Sequence, residues 1–430
     1  MRLAGVIALL LSSTSALRTR LQIPLGQASS GALPKSDAPA YRSELVALHK
    51  SLIEVSSVTY SENAVGRFVV DYLAERGFTA ELDLVPPPPS NSSSSSSSSG
   101  EDGGDGKPRF NVVAWPGPSR HPGTPRVLVT SHIDTVPPYI PYSRSGGELS
   151  GDTIIAGRGS VDAKASVAAQ ITAVRELLRA GAVDGGDVML LFVVGEERTG
   201  DGMRHFSDAS SAARPAGPFA AAVFGEPTEG RLACGHKGIF GCDVVARGRA
   251  GHSGYPWLGK SATEVLMRGL IAVLDADLGG SGGRFGATTV NVGVLEGGVA
   301  PNVIPARAAA RIAGRVAIGP ESDGGRIVTD RVKAVLAGVD AEAFDVSCNN
   351  GYGVVECACD VPGFETITVN YGTDLPNLKG NHKRYLYGPG SILVAHGADE
   401  AIKLRDLEAG VEGFKKLILH AVRDEAGEEL

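Results

Sequence analysis

Arg126-Val127-Leu128-Val129-Thr130-Ser131-His132-Ile133-Asp134 is the stretch whose reading decides the fold. Val127 to Thr130 is a short apolar run of the kind expected for a strand buried on both faces of a sheet, and it runs out into a histidine and an aspartate. Residues 111–115, 187–194 and 221–224 repeat the apolar pattern, and the last two lead into Glu196-Glu197 and Glu226. Residues 163–180 between them are alanine-rich, with Val167, Ile171, Val174 and Leu178 on one face of a predicted helix. Alternating strand and helix predicts an α/β domain with a mainly parallel sheet and helices on both faces. In open sheets of this type ligands sit beyond the carboxyl ends of the strands. Three strand ends therefore converge on one acidic locus, and Asp162, just before the helix, can reach it as well.

Upstream, apolar residues at helical spacing around Leu45–Ile53 and Val65–Leu73 predict two helices. Downstream, residues 238–351 change pattern: strand (239–246), helix (262–278), strand (288–295), strand (308–316), helix (325–336), strand (344–348). That βαββαβ order is the split-βαβ unit of an inserted α+β, ferredoxin-like domain. Residues 366–370 and 392–394 read as strands and 404–422 as a closing helix, which returns to the first pattern. The larger domain is thus expected to be discontinuous, at 41–237 and 352–430.

With 430 residues the chain is long enough for two domains. A net charge of −7 gives no electrostatic footprint for nucleic acid or an anionic membrane surface. Met1-Arg2, an apolar run from Leu3 to Leu11 and a Thr14-Ser15-Ala16 exit read as a secretory signal peptide over 1–16, too short to span a bilayer, followed by a leader over 17–40. The expected location is extracellular. Residues 86–106 form a Pro, Ser, Gly and acidic tract expected to be a disordered insertion, and Asn91-Ser92-Ser93 within it is a glycosylation sequon. Five cysteines are too few for a disulfide scaffold. Cys234 and Cys242 flank a possible hairpin, Cys348 could pair with Cys357 or Cys359, and the odd count leaves at least one thiol outside an internal bridge.

Any single carboxylate at a strand end is usually a cap or a solvated loop residue; their repetition points to a site. Asp134, Asp162, Glu196, Glu197 and Glu226 packed together repel one another unless cations neutralise them, and two zinc ions would do so while accepting His132 and the late His396. Asp162 suits a shared ligand, because a carboxylate has two oxygens and a neutral imidazole cannot bridge. Of Glu196 and Glu197, one can bind metal while the other takes a proton from a water shared by the metals. Asp134, two residues after His132, is placed to hold the other ring N–H.

The strings SHIDTVPP, GRGSVDAK, GEE, GEPTEG, GRAGHSG and GPGSILVAHGADE, in this order, resemble the M20 metallopeptidase family, and most closely its secreted carboxypeptidases. The family also includes acetylornithine deacetylase, succinyl-diaminopimelate desuccinylase and aminoacylases. The resemblance implies one zinc on His132, Asp162 and Glu226 and a second on Asp162, Glu197 and His396, with cobalt or manganese as substitutes. It implies Glu196 as general base, Asp134 as orienting carboxylate and His252, on the inserted lid, as oxyanion donor. That histidine often comes from the other subunit, which implies a homodimer through the lid. Asn302 and Arg315 match positions that grip a substrate carboxylate. The family usually has glycine after the lysine of the Asp162-Ala163-Lys164 motif, where this chain has Ala165, and commonly has a cis peptide after the bridging aspartate. The implied activity is cleavage of an amide bond beside a free carboxylate, by a carboxypeptidase or alternatively an N-acyl-amino-acid amidohydrolase. An inactive binding protein is disfavoured, because Glu196 and all five ligand positions are present.

Overall fold

The computed structural model describes residues 38–87, 104–118, 125–208, 219–349 and 351–424. Residues 1–16, Asn91, and nearly all of 17–40 and 86–106 lie outside them. No helix among the described residues is long and apolar enough to cross a membrane.

The central element is a nine-stranded mixed sheet. Its middle is parallel: Val188–Val193, Val127–His132, Ala221–Gly225 and Lys383–Tyr387 lie side by side in that order. The flanks are largely antiparallel, with Arg109–Pro116 and Phe78–Val85 on one side and Leu232–His236 on the other. The parallel character is therefore concentrated where the acidic strand ends emerge.

Side-chain direction follows the two-residue period of a strand. Val188, Leu190 and Phe192 pack into one cluster with Val127, Val129 and Val223, beneath helices Arg42–Glu54, Asn63–Ala74, Lys164–Arg179 and Leu404–Asp424. Met189, Leu191 and Val193 face the other way, with Leu128, Phe224 and Leu386, toward Met203 and Phe206 of helix Asp201–Asp208. Both faces are covered, which is why these runs are continuously apolar rather than alternating.

One expected strand is absent. Residues 392–394 form a turn, with Leu393 85% exposed, and the strand of this region is Lys383–Tyr387. Gly388-Pro389-Gly390 ends that strand before the later apolar residues, which meet no neighbouring strand. Ala165 lies buried in the first turn of helix Lys164–Arg179, a position alanine suits. The Asp162–Ala163 peptide is cis.

Residues 238–348 contain a four-stranded antiparallel sheet in the order Thr289–Gly297, Arg307–Val316, Gly238–Arg247, Phe344–Cys348. Helices Ala262–Asp275 and Gly324–Val339 share a core with it that includes Leu266, Val273, Val328 and Leu336. This is the ferredoxin-like order. Cys242 and Cys348 face each other across the Gly238–Arg247 and Phe344–Cys348 strands and are bridged; Cys234 pairs with Cys359, and Cys357 is the free thiol.

Phe192 is fully buried in the middle of the sheet. Phe192→Ala is expected to cost about 3–5 kcal/mol. The check is a lower urea midpoint at unchanged slope; an unchanged midpoint would contradict this packing.

Candidate functional site

Each of the four parallel strands delivers part of one cluster. Val127–His132 ends in His132, Val188–Val193 leads into Glu196-Glu197, Ala221–Gly225 into Glu226, and Lys383–Tyr387 into the turn carrying His396. The chain must bend sharply after Val194. Gly195 allows this with φ +79°, and a Cβ there would overlap the Asp201 carboxylate and the Arg109 guanidinium.

Asp162 sits at the middle. Its Oδ1 lies 3.0 Å from His132 Nε2 and its Oδ2 3.3 Å from His396 Nε2. His396 Nε2 is also 3.0 Å from Glu197 Oε2, and His132 Nε2 is 3.8 Å from Glu226 Oε2. The two oxygens of one carboxylate thus face the two imidazoles, with Glu226 beside His132 and Glu197 beside His396. Glu196 belongs to the same locus: donor atoms of His132, Glu196 and Glu226 fall within 4.8 Å of one another, as do those of His132, Asp162 and Glu197.

Asp134 meets the other ring nitrogen of His132 and the backbone of the acidic pair as well. His132 Nδ1 donates to the backbone carbonyl of Asp134 at 3.0 Å, while the Asp134 carboxylate lies at 3.5 Å. A carbonyl can only accept, so a ring proton sits on Nδ1 and Nε2 is the nitrogen that faces the carboxylates. The Asp134 side chain also accepts the Glu196 and Glu197 N–H groups at 3.1 and 3.3 Å and the Thr59 hydroxyl at 2.8 Å. It orients the turn bearing the acidic pair.

The donors fit divalent cations. A neutral Nε2 facing Asp162 Oδ1 at 3.0 Å sets two acceptors against each other unless a proton or a cation lies between them. Glu197 Oε1 is buried and has no hydrogen-bond partner among the described residues. The carboxylates and imidazoles shift one another's ionisation. Burial and neighbouring carboxylates push Glu196 up, and burial pushes Glu226 and Glu197 up, with Asp162 adding to both. Burial works against a charged His132, but Glu226, Asp134 and Asp162 hold its pKa well above the ordinary value. Asp162 and Glu197 raise His396 to about 10. Burial opposes ionisation of Asp162, and the two imidazoles overcome it and hold its pKa low. Mixed imidazole and carboxylate ligands suit zinc.

His396 has φ +63°, uncommon for a residue with a side chain. Arg158 secures its turn, donating to the backbone oxygens of Gly397 at 3.1 Å and His396 at 3.4 Å. The same guanidinium pairs with Glu400 at 2.7 Å. Glu400 Oε1 accepts the N–H groups of Val161 and Asp162 at 2.9 and 3.1 Å.

A cavity of about 250 Å³ opens beside the cluster. Arg315 lines it and makes no ion pair among the described residues. His252 and Asn302 do not line it. They lie together on an exposed ribbon, Gly251–His252 against Val303–Ile304, with Ser253 N donating to the Asn302 carbonyl at 3.1 Å. Sequence reasoning missed Tyr371, Thr373, Asp374, Tyr352, Thr199 and Arg204 on the cavity wall, which carry no metal-ligand spacing. His236 is structural: Nδ1 donates to the Lys237 carbonyl at 2.8 Å, Nε2 lies 3.0 Å from the Thr373 hydroxyl, and burial lowers its pKa to about 4.

Residues 128–420 match Peptidase family M20/M25/M40. A Peptidase M20 domain-containing protein of Sordaria macrospora is 54% identical over 399 residues, covering 90% of this chain and 87% of that one. A probable carboxypeptidase of Aspergillus fumigatus is 42% identical over 403 residues, covering 88% and 87%. Among solved structures, a tripeptidase from Staphylococcus aureus superposes with TM-score 0.69 at 18% identity, covering 89% of this chain and 99% of that one. An M20 family metallo-carboxypeptidase from Sulfolobus solfataricus gives 0.62 at 15% identity, covering 88% and 99%.

Glu400 holds the backbone of Asp162 without touching the cation position. Glu400→Gln is expected to weaken divalent-metal affinity about 10- to 100-fold, the range for groups that orient ligands. Competition against a chromogenic chelator reads this directly, and an unchanged affinity would remove Glu400 from the role.

Proposed function

Because the chain belongs to peptidase family M20/M25/M40, we propose that this peptidase is a secreted two-zinc carboxypeptidase, cleaving the peptide bond next to a free carboxylate. The observation that carries the metal assignment is Asp162, with one oxygen facing each imidazole. His132, Asp162 and Glu226 would hold one cation, and Asp162, Glu197 and His396 the other. Bound there, the cations would supply Lewis acidity and lower the pKa of the attacking water.

Glu196 takes the proton from that water and passes it to the leaving amine nitrogen, a role that suits a buried carboxylate with a raised pKa. Arg315 binds the substrate carboxylate, to which a guanidinium offers two parallel N–H groups. The location follows from the reading of residues 1–16, and two disulfides fit an oxidising compartment. Glu196→Gln is expected to lower kcat by about 10²- to 10⁴-fold. Hydrolysis of N-blocked dipeptides, together with metal analysis, tests this: the variant keeps its metal, and chelator abolishes wild-type turnover. Full activity in either case would overturn the mechanism.

His252 acts as oxyanion donor from a second copy of the chain, and Asn302 travels with it. Two features support this: the ribbon stands outside its own chain's cavity, and its surroundings are apolar and exposed. Tyr255, Trp257 and Leu258 are 53, 71 and 59% exposed beside His252, and Met267, Ile271 and Leu274 form an exposed stripe on helix Ala262–Asp275. Mixing His252→Ala with Glu196→Gln protein is expected to restore turnover that neither variant has alone. In the mixed dimer one site has both residues. Absence of recovery, with a dimer seen by sedimentation, would place His252 outside catalysis across subunits.

A further inference from the structure

The cavity has a second polar wall that the hydrolytic step does not use. Asp374 lines it and is 4% exposed. Its Oδ1 accepts from Asn377 Nδ2 at 2.7 Å, and Asn377 Oδ1 in turn accepts from Arg204 Nε at 2.9 Å. Arg204 thereby fixes which end of the Asn377 amide faces Asp374. The carboxylate is held in one orientation, yet Asp374 Oδ2 is buried and has no donor among the described residues. Thr199 Oγ1, on the same wall, is also buried without a partner among them.

A buried carboxylate oxygen without a donor is costly, and native structures leave few of them unexplained. Here the missing partner must be a hydrogen-bond donor, and a cation satisfies a carboxylate best. Arg204 does not fill the place: its Nε is given to Asn377, and Asp374 Oδ2 accepts no hydrogen bond from it. Arg315, lining the same cavity near Gly372, has the opposite need, a guanidinium with no ion pair among the described residues. The two groups together suit a ligand carrying both charges.

Building on the hydrolase reading above, we propose that Asp374 and Thr199 form a subsite for an ammonium group on the acyl side of the scissile bond. The ammonium is either the free α-amino end of a short peptide or a basic side chain. On this assignment the enzyme favours zwitterionic short peptides over N-acyl amino acids. Burial lifts the Asp374 carboxyl to about 6, so it is available as an anion near neutral pH.

The test is kinetic selectivity on alanyl-leucine, N-acetyl-alanyl-leucine and N-acetyl-lysyl-leucine. Asp374→Asn keeps the size of the side chain and its acceptor for Asn377. It is expected to lower the kcat/KM ratio of an ammonium-bearing substrate to N-acetyl-alanyl-leucine about 10- to 100-fold, the loss of one charge-assisted hydrogen bond. A fall for alanyl-leucine assigns the α-ammonium; a fall for the lysyl substrate assigns the side chain. Equal losses on all three substrates mark a structural role and overturn the proposal, as does an unchanged ratio. Thr199→Val should move the same ratio in the same direction, which keeps the test available if Asp374→Asn folds poorly. If wild-type protein hydrolyses none of the three, the hydrolase reading fails instead. The subsite is then decided by calorimetric binding of alanyl-leucine to Glu196→Gln with and without Asp374→Asn, where equal affinities would overturn it.

Discussion

A buried ion pair fastens the two halves of the candidate metal site to each other. Arg158 and Glu400 are 2% and 1% exposed and lie 242 residues apart in sequence. Glu400 spends one oxygen on the Val161 and Asp162 N–H groups and the other on Arg158, and its backbone oxygen accepts from Gly157 N and the Ser160 hydroxyl. Arg158 adds the carbonyls of Gly397 and His396. A buried pair is weak support for stability, because desolvation offsets much of its attraction. Its value here is geometric. Asp162 and His396 come from distant parts of the chain, and this pair sets the distance between them.

Asp134 does the same for the other side. One carboxylate collects the N–H groups of Glu196 and Glu197 and the Thr59 hydroxyl, while its own backbone carbonyl fixes the tautomer of His132. The cluster brings carboxylates and imidazoles into close contact, and the surrounding hydrogen bonds hold it in place. Shifted ionisation in such a buried cluster is the pattern expected of a functional site.

Much of this was legible in the sequence. The apolar runs ending in His132, Glu196-Glu197 and Glu226 identified three neighbouring parallel strands, because a strand buried on both faces has no polar face to break the run. The ferredoxin-like order of residues 238–348 was equally plain from its alternating periods. The strand leading to His396 was missed because Lys383 and Arg384 open it and leave only three buried residues. The partnership of Arg158 with Glu400 carries no local signal, since nothing in either segment announces a contact over such a separation. Nor could the sequence reveal that His252 and Asn302 stand away from the cavity while Arg315 lines it; all three lie on one inserted unit, and only its packing separates them.

The cavity wall and the ligand loops are also tied together. Tyr371 donates to the Pro227 carbonyl at 2.9 Å, immediately after Glu226, and Thr373 is held by His236. His236 can serve as a fixed acceptor because burial keeps it neutral with its proton committed to the Lys237 carbonyl. The turn carrying Asp374 is therefore fastened to the loop carrying Glu226 on one side and to the start of the inserted unit on the other. Arg315 belongs to that unit and stands close to Gly372 and the Tyr352 hydroxyl. Arg315 and Asp374, the groups proposed to read opposite charges on a substrate, are thus referenced to the same turn, and that turn to the loop carrying Glu226. A shift of residues 238–348 would move Arg315 relative to Glu196, so the proposed substrate grip would be coupled to the position of the proposed base.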